Sequence, residues 1–429
     1  MSGQAATAWS WRAVASRGLT PLRVLAIALG ALLALTLALQ IQLIANRDGM
    51  FYAGKDVAVG GDFIVFYAAG RIADAGNGAA LYDPARQLAE QREILGRDRG
   101  LAIFPYPAFV AAPYALLSRL PLPSAFVVAT ALMIAATIGA ILLLRGVSPS
   151  VRAHPWLSFL AVVNSQPFSI ALLGGQTVAF SFLCFAGVYA GLRRERPAEA
   201  GLWLGLLAYK PQMAALLMLL LLFRRQWRVL AVAVATVAVL TVLGMAVSGV
   251  DWPLKFWTLA TSNYYRDNAQ LADGLVSISL SGLIANLTGG NGLWSTGAAA
   301  VICFGIVVAL LHLWRDADPA TERFPLQFAG AVAATLLISP HALFYEAGLL
   351  VLPVILLLDH WNAAGLNAAG LSPRQRLLLA ALVGIGFLWP LAPALAVEPL
   401  AILPILLFVL IMREHARVLL ADERALPAS

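Results

Sequence analysis

The feature that most constrains this chain is a series of unbroken apolar runs, each about as long as a lipid bilayer is thick. One extends from Leu22 to Ile44 and another from Ser124 to Leu144, which as helices would cross the roughly 30 Å hydrocarbon core. Hydrophobic residues make up 61% of the 429 residues and charged residues 12%, about half the charged share of an ordinary soluble domain. The sequence therefore predicts an all-α, polytopic integral membrane protein.

Arginines cluster in short segments between the apolar runs, most densely at Arg224-Arg225-Gln226-Trp227-Arg228. Such clusters stay on the cytoplasmic side of a membrane. Arg12, Arg17 and Arg23 lie before or at the start of the first run, which is too long for a signal-peptide core, so we expect a retained first helix. This pattern predicts 10–12 transmembrane helices in a single domain over residues 22–412, with residues 1–21 and the tail 413–429 in the cytoplasm.

Two polar segments are expected on the outer side, at about residues 45–106 and 250–274. The first contains two stretches with amphipathic helical character, Phe63–Ala75 and Pro84–Leu95, which are predicted to lie along the membrane interface. Asp83 stands where it would cap the second of these helices.

Several apolar runs between residues 154 and 223 are interrupted by proline or paired glycine. The interruptions are Gln166-Pro167, Gly174-Gly175-Gln176 and Lys210-Pro211. Discontinuous helices are tolerated at membrane depth only where the backbone faces protein or a wet cavity. This region is therefore predicted to line a cavity.

The composition and motifs also argue against several classes of protein. A net charge of +7 would suit nucleic acid, but the arginines are accounted for by topology, so no nucleic-acid partner is expected. There is no phosphate-binding loop of the Gly-x-x-x-x-Gly-Lys-Ser/Thr type. Cys184 and Cys303 lie in apolar runs without metal-ligand spacing and are interpreted as packing residues. No close pair of carboxylates accompanies Asp62, an acid that follows the first span, so neither a metal nor another cofactor is predicted.

Asp62 is the leading candidate for a functional residue. It follows the first span within Gly60-Gly61-Asp62-Phe63, and carboxylates at the membrane edge are usually retained for a task. The alternative is that Asp62 only caps the helix starting near Phe63. Asp48 and Asp56 are weaker rivals in the same loop.

The order of six short motifs resembles glycosyltransferase family 87. They are Gly61-Asp62-Phe63 with Phe66-Tyr67, Leu81-Tyr82-Asp83-Pro84, Phe104-Pro105-Tyr106-Pro107, Gly175-Gln176, Lys210-Pro211 and Ser339-Pro340-His341. The resemblance extends from the first span to about Pro353. It implies a GT-C-like fold and an inverting transferase that uses a polyprenyl-phosphate sugar. It also implies that the acid after the first span, Asp62, is the catalytic base.

The resemblance and the topology suggest roles for further residues. His341 matches the family's histidine after Ser-Pro and is expected to bind the donor phosphate or assist proton transfer. Lys210 either points into the cavity toward phosphate or snorkels to an interface. Gln176 either binds a sugar hydroxyl or satisfies a broken helix end. The remaining candidate substrate contacts, which interfacial anchoring would equally explain, are Arg71, Tyr67, Tyr106 and Arg266.

Together these observations predict an enzyme of the plasma (inner) membrane, and the resemblance implies that it is a hexosyltransferase with mannose as the expected sugar. Its substrates would be a polyprenyl-phosphate sugar and a lipid or glycan acceptor, with membrane lipids around it and the active site on the outer, periplasmic face. The alternatives are a transporter or flippase of a polyprenyl-linked glycan and a non-catalytic membrane scaffold. A transporter would need polar residues along a path through the whole membrane, whereas the polar residues here gather on one face.

Overall fold

The computed structural model describes residues 21–52, 57–98, 101–265, 276–290, 292–363 and 398–425. These residues contain no β-strand, only three isolated backbone bridges, so the all-α prediction is confirmed. The α-helices are α1 (Pro21–Ala45), α2 (Phe63–Asp74), α3 (Pro84–Leu95), α4 (Ala111–Leu117), α5 (Leu122–Arg145), α6 (Pro149–Ala153), α7 (Pro155–Asn164), α8 (Gln166–Leu173), α9 (Val178–Arg193), α10 (Pro197–Leu206), α11 (Pro211–Phe223), α12 (Trp227–Ser248), α13 (Trp252–Ala260), α14 (Leu280–Thr288), α15 (Leu293–Leu313), α16 (Phe324–Ile338), α17 (Val351–Ala363) and α18 (Ile402–Ala425).

Six helical segments in the described part of the chain are long and apolar enough to cross a membrane: Ala26–Ala45, Leu122–Arg145, Trp227–Ser248, Leu293–Leu313, Phe344–Ala363 and Pro399–Val418. The pair α7 and α8 makes a seventh if it is one span, bent by 70°. Four shorter apolar segments accompany them: Ala108–Leu117, Val178–Arg193, Pro211–Phe223 and Phe324–Ile338. The chain is a multi-pass membrane protein. One of the predicted 10–12 spans, residues 377–392, lies outside the described residues.

The helices break where the sequence predicted. The run over residues 154–173 divides at Ser165, and the run over residues 201–223 divides at Lys210. In both cases proline stands in the first turn of the following helix, where its missing N–H breaks no helical hydrogen bond. Lys210 itself has a non-helical backbone, with φ −122° and ψ 83°, because the residue before proline avoids the helical region.

The helices differ strongly in how much of their surface other helices cover. α16 is buried at nearly every position and packs against α17, α18 and α15. By contrast, α15 exposes large apolar side chains, including Trp294 and Val301. Apolar helix surface that no protein covers suits contact with lipid tails. The described bundle thus has a protein-packed centre and a periphery that faces the membrane.

The basic segments meet at one end of the bundle, which we call the arginine end. Here Arg194 Nη2 donates to the carbonyl of Leu143 at 2.9 Å, and Arg193 Nη1 donates to the carbonyl of Pro319 at 2.6 Å. Leu143 lies in the last turn of α5. At the other end of that 24-residue helix, about 36 Å away, the Tyr67 hydroxyl donates to the carbonyl of Leu120 at 2.8 Å. The loop that carries α2 therefore lies opposite the arginine end.

Both helices predicted in the first outer loop are present, as α2 and α3. Asp83 caps α3 as expected, since its Oδ1 accepts a hydrogen bond from the backbone N–H of Ala85 at 2.9 Å. α2 is buried along most of its length. The reason is that α4 packs over it, with Gly70 of α2 directly against the Tyr114 carbonyl.

Candidate functional site

Residues from distant parts of the chain surround one cavity of about 220 Å³. Its polar wall includes Asp62, Tyr106, Gln176 and His341, all four of which the sequence singled out. Further tyrosines on the wall are Tyr264, Tyr265 and Tyr345, and the apolar part includes Val65, Leu88, Leu101, Ile103 and Leu343. The structure thus brings together half of the eight predicted site residues.

Asp62 stands directly before α2 but does not cap it. Its backbone is helical, with φ −73° and ψ −1°, and its side chain makes no capping hydrogen bond. Capping residues usually take the extended region, from which the side chain reaches back to the helix N–H groups, as Asp83 does. Instead, the Asp62 carboxylate accepts a hydrogen bond from Gln176 Nε2. The capping interpretation of Asp62 is therefore not what the structure shows.

Two glycine-containing turns fit closely together to make this contact. The Asp62 backbone N–H donates to the Gly174 carbonyl at 3.1 Å. A Cβ on Gly175, whose φ is +65°, would come within 2.5 Å of the Phe63 Cβ. A Cβ on Gly61, with φ +55°, would meet the Gly174 Cα at 3.0 Å. Only residues without a Cβ fit both the conformation and the space, so the turn 174–177 docks directly on the turn 60–63.

Gln176 and Thr177 connect this contact to the protein interior. Gln176 is buried, and its Oε1 has no hydrogen-bond partner among the described residues. The hydroxyl of Tyr209 lies within hydrogen-bonding distance of the Thr177 carbonyl, at 2.9 Å, and of the Ser181 hydroxyl, at 2.6 Å. The segment that presents Gln176 to Asp62 is thus anchored by residues that do not line the cavity.

Lys210 lies behind the cavity wall rather than on it. It is 3% exposed and forms an ion pair with Glu346, which is equally buried. Its Nζ lies 5.9 Å from the centre of the Tyr106 ring, within cation–π range. The expected contact of Lys210 with phosphate is replaced in this structure by a carboxylate of the protein. Lys210 neutralises Glu346 and supports the ring of Tyr106 from behind.

Tyr106 places its phenol in a buried part of the site, near two carboxylates. Burial, together with the nearby carboxylates of Glu346 and Asp62, raises the pKa of Tyr106, because each of these effects disfavours a phenolate. The phenol therefore stays protonated at physiological pH. It can act as a hydrogen-bond donor, but not as a base, toward a molecule in the cavity.

His341 follows the end of α16 and is half-buried at the cavity, its ring 6.2 Å from that of Tyr265. Two backbone hydrogen bonds hold the chain just beyond it. Ile278 N–H donates to the Ala342 carbonyl and Phe344 N–H to the Val276 carbonyl, each at 2.8 Å. The position of His341 is therefore determined by pairing with residues 276–278, more than sixty positions earlier in the chain.

Arg71 and Tyr67, two further predicted site residues, have partners outside the cavity. Arg71 forms ion pairs with Glu90 at 2.8 Å and Glu93 at 2.9 Å. The Tyr67 hydroxyl donates a hydrogen bond to the Leu120 carbonyl. Neither residue is among those that line the cavity. Arg266 lies outside the described residues.

Asp48, one of the two rival acids of the first loop, does not line the cavity either. Asp48 is exposed and paired with Arg97 at 2.9 Å. Asp56 lies outside the described residues. No group of three or more His, Cys, Asp or Glu side chains that could hold a metal ion occurs in the part of the chain that the structure describes.

The sequence interpretation missed Glu346 and the tyrosines at positions 264, 265 and 345. Glu346 had a usable signal, because it is an acid within the apolar stretch from Leu343 to Leu358, and intramembrane carboxylates usually have a partner or a task. The tyrosines had no such signal, since aromatic residues are common at membrane interfaces regardless of function.

Comparison with protein families gives the class of the protein. The model of glycosyltransferase family 87 matches residues 104–340, more than half of the chain. The chain belongs to this family, as the resemblance of its motifs implied, and is a membrane glycosyltransferase that acts on a sugar donor and an acceptor. The matched residues include Tyr106, Gln176 and Lys210, whereas Asp62 and His341 lie outside them. Neither a curated protein nor a solved structure matches the chain.

Proposed function

We propose that this protein transfers a hexose, with mannose as the expected sugar, from a polyprenyl-phosphate donor to a lipid or glycan acceptor. The reaction takes place at the outer, periplasmic face of the plasma membrane, in a GT-C-like fold. The observation that carries this proposal is the convergence of Asp62, Tyr106, Gln176 and His341 on a single cavity. No additional cofactor is needed, because the lipid-linked sugar is already an activated donor.

In the proposed reaction Asp62 acts as the general base. Its carboxylate takes the proton of an acceptor hydroxyl as the hydroxyl oxygen forms a bond to the anomeric carbon of the donor sugar. The bond from that carbon to the phosphate oxygen breaks at the same time, and polyprenyl phosphate leaves with the bonding electrons. A single displacement of this kind inverts the anomeric centre.

The departing phosphate gains negative charge and needs hydrogen-bond donors or a cation near it. His341 and the protonated phenol of Tyr106 are the cavity residues suited to this role. Arg71 and Lys210 are less suited, because carboxylates of the protein already neutralise both. The apolar part of the wall, with Leu88, Leu101 and Ile103, suits the first isoprene units of the donor.

The placement of the arginine end supports an outward-facing cavity. Basic segments remain on the cytoplasmic side, and α5 separates them from the loop that contains Asp62 by about the thickness of a bilayer. The cavity would then open on the side where polyprenyl-linked sugars are presented after crossing the membrane.

The central experiment measures sugar transfer by the purified protein in lipid vesicles. Polyprenyl-phosphate-mannose labelled in the sugar is supplied with a membrane lipid extract as acceptor, and release of polyprenyl phosphate is followed in parallel. We expect transfer by the wild type and a loss of about 10²–10⁴-fold in Asp62→Asn, the usual contribution of a general base. Asp48→Asn is the matched control, since it removes an exposed acid from the same loop, and should keep full activity.

Three outcomes would count against the proposal. Full activity of Asp62→Asn would remove Asp62 as the base. Transfer from a nucleotide sugar, but not from any polyprenyl-phosphate sugar, would overturn the donor class. Movement of an intact lipid-linked glycan across the vesicle membrane without cleavage would favour the transporter alternative.

A further inference from the structure

We propose that Gln176 is a positioning residue that orients the carboxylate of Asp62, rather than a contact to the sugar. The inference rests on the proposed function, because it assigns a partner to the proposed base. It starts from one hydrogen bond that joins residues 114 positions apart in the chain, in which Gln176 Nε2 donates to Asp62 Oδ2.

The accessibility of the two side chains supports this division of roles. Asp62 is exposed at the cavity, whereas Gln176 is only 4% exposed. The Oε1 atom of Gln176 is covered as well, so it does not face a sugar hydroxyl. Gln176 therefore affects a molecule in the cavity only indirectly, through the hydrogen bond that its amide nitrogen donates to Asp62.

The backbone around Gln176 is held on both sides of the contact. Gln176 N–H donates to the Ala171 carbonyl at 2.8 Å, and the Gly174 carbonyl accepts the N–H of Asp62 at 3.1 Å. The carbonyl of the following residue, Thr177, accepts a hydrogen bond from the Tyr209 hydroxyl. The amide donor is therefore fixed before any substrate binds, which is what a preorganised catalytic group requires.

An amide is well suited to this task. It donates to a carboxylate without titrating, so it favours the charged form of Asp62 over the whole physiological pH range. It also fixes the plane of the carboxylate toward the acceptor hydroxyl. A lysine or arginine would do the same but would pair with the base more strongly and compete for its proton-accepting oxygens.

The test compares Gln176→Met and Gln176→Glu with wild type in the transfer assay, over a range of pH and of both substrates. Methionine keeps the length of the side chain but removes the donor. We expect kcat to fall by about 10–100-fold, with KM for donor and acceptor within about twofold of wild type, because only the orientation of the base is lost. A substrate contact would raise KM instead, and that result would overturn the proposal.

Gln176→Glu is nearly isosteric and preserves the packing of the turn 174–177. Its effect on kcat therefore reports the orientation of Asp62 rather than a folding defect. Two carboxylates that share a site resist double ionisation. The acid limb of the kcat profile should therefore move at least about one pH unit upward. Gln226→Glu, at the start of α12, is the matched control and should leave the profile unchanged. A wild-type profile in Gln176→Glu would overturn the proposal.

A double variant distinguishes failure of this inference from failure of the proposed function. If Gln176 acts only through Asp62, Gln176→Met should cause no further loss in the Asp62→Asn background. If Asp62→Asn is inactive but the Gln176 variants retain wild-type kcat and pH profile, only the positioning role is overturned. Full activity of Asp62→Asn would overturn the proposed base and the positioning role together.

Discussion

Lys210 and Glu346 form an ion pair in the protein interior. Both side chains are 4% exposed, and the Glu346 Oε2 atom has no further hydrogen-bond partner among the described residues. Removing one ion of such a pair leaves an uncompensated charge in a low-dielectric interior, which costs far more than the pair itself contributes. The pair is therefore expected to hold the chain break at Lys210 against the segment that follows His341.

This leads to a prediction for stability. Lys210→Met should lower the free energy of unfolding by about 3–5 kcal/mol, whereas Lys210→Met combined with Glu346→Leu should recover much of the loss. The measurement is unfolding of the purified protein in mild detergent, followed by circular dichroism. Lys255→Met is the matched control. Its ion pair with Asp251 is half-exposed, so its removal should cost less than about 1 kcal/mol.

Equal stability of Lys210→Met and Lys255→Met would show that the pair with Glu346 is not maintained in the protein. A double variant no more stable than Lys210→Met would show that the ring of Tyr106, rather than the charge of Glu346, is what Lys210 supports.

At the scale of elements, the decisive contact is the docking of the turn 174–177 on the turn 60–63. The turn 174–177 follows the bent pair α7 and α8, and the turn 60–63 leads into α2. Gly60 and Gly61 in one turn and Gly175 in the other have positive φ, and the glycines of the two turns lie against one another's backbone. A small change in either turn therefore displaces Asp62 and Gln176 relative to each other.

Gly175→Ala tests this contact. The added Cβ would lie 2.5 Å from the Phe63 Cβ, at a φ of +65° that alanine adopts only with strain. We expect destabilisation of about 1–3 kcal/mol and a fall in kcat like that of Gln176→Met. Thermal unfolding and the transfer assay measure the two effects.

Gly305→Ala is the control for that substitution. It lies in α15, and a Cβ there would meet nothing within 4 Å. Alanine is favoured over glycine within a helix by up to about 1 kcal/mol, so this variant should be as stable as wild type or slightly more so. If Gly175→Ala behaves in the same way, the close docking of the two turns is not essential.

At the scale of the whole molecule, the arginine end and the cavity lie at opposite ends of the same helices. The α12 helix shows this as α5 does. It starts beside the arginine cluster, and the Ser248 hydroxyl in its last turn donates to the carbonyl of Gly78 at 2.7 Å, in the loop after α2. This polarity supports the proposed orientation in the membrane.

Labelling with a membrane-impermeant maleimide tests the orientation. In intact cells, Val57→Cys, at an exposed position of the first loop, should be labelled, whereas Arg228→Cys at the exposed arginine end should react only after the membrane is opened. The native cysteines are one buried and one half-buried, and the unmodified chain gives the background. The opposite pattern would place the cavity in the cytoplasm and exclude a donor presented on the outer face.

Local physical chemistry explains why the sequence predicted so many of the elements. The bounds of α1 and α5 follow from apolar run length, and those of α3 follow from its amphipathic pattern and the Asp83-Pro84 pair at its start. The break at Lys210 follows from proline, which restricts its own φ and the conformation of its predecessor. The capping of α3 by Asp83 follows from the fit of a short acid to the first helical N–H groups. None of these features requires knowledge of distant residues.

The sequence by itself thus determined the membrane class, the helices and the segments that carry polar residues, because bilayer thickness and backbone hydrogen bonding act along a continuous stretch of chain. Only the tertiary structure decided which polar residues meet. Gln176 reaches Asp62 across 114 positions and Lys210 reaches Glu346 across 136. Such pairings depend on how broken helices pack in three dimensions, and apolar periodicity carries no information about the partner that a buried polar group finds.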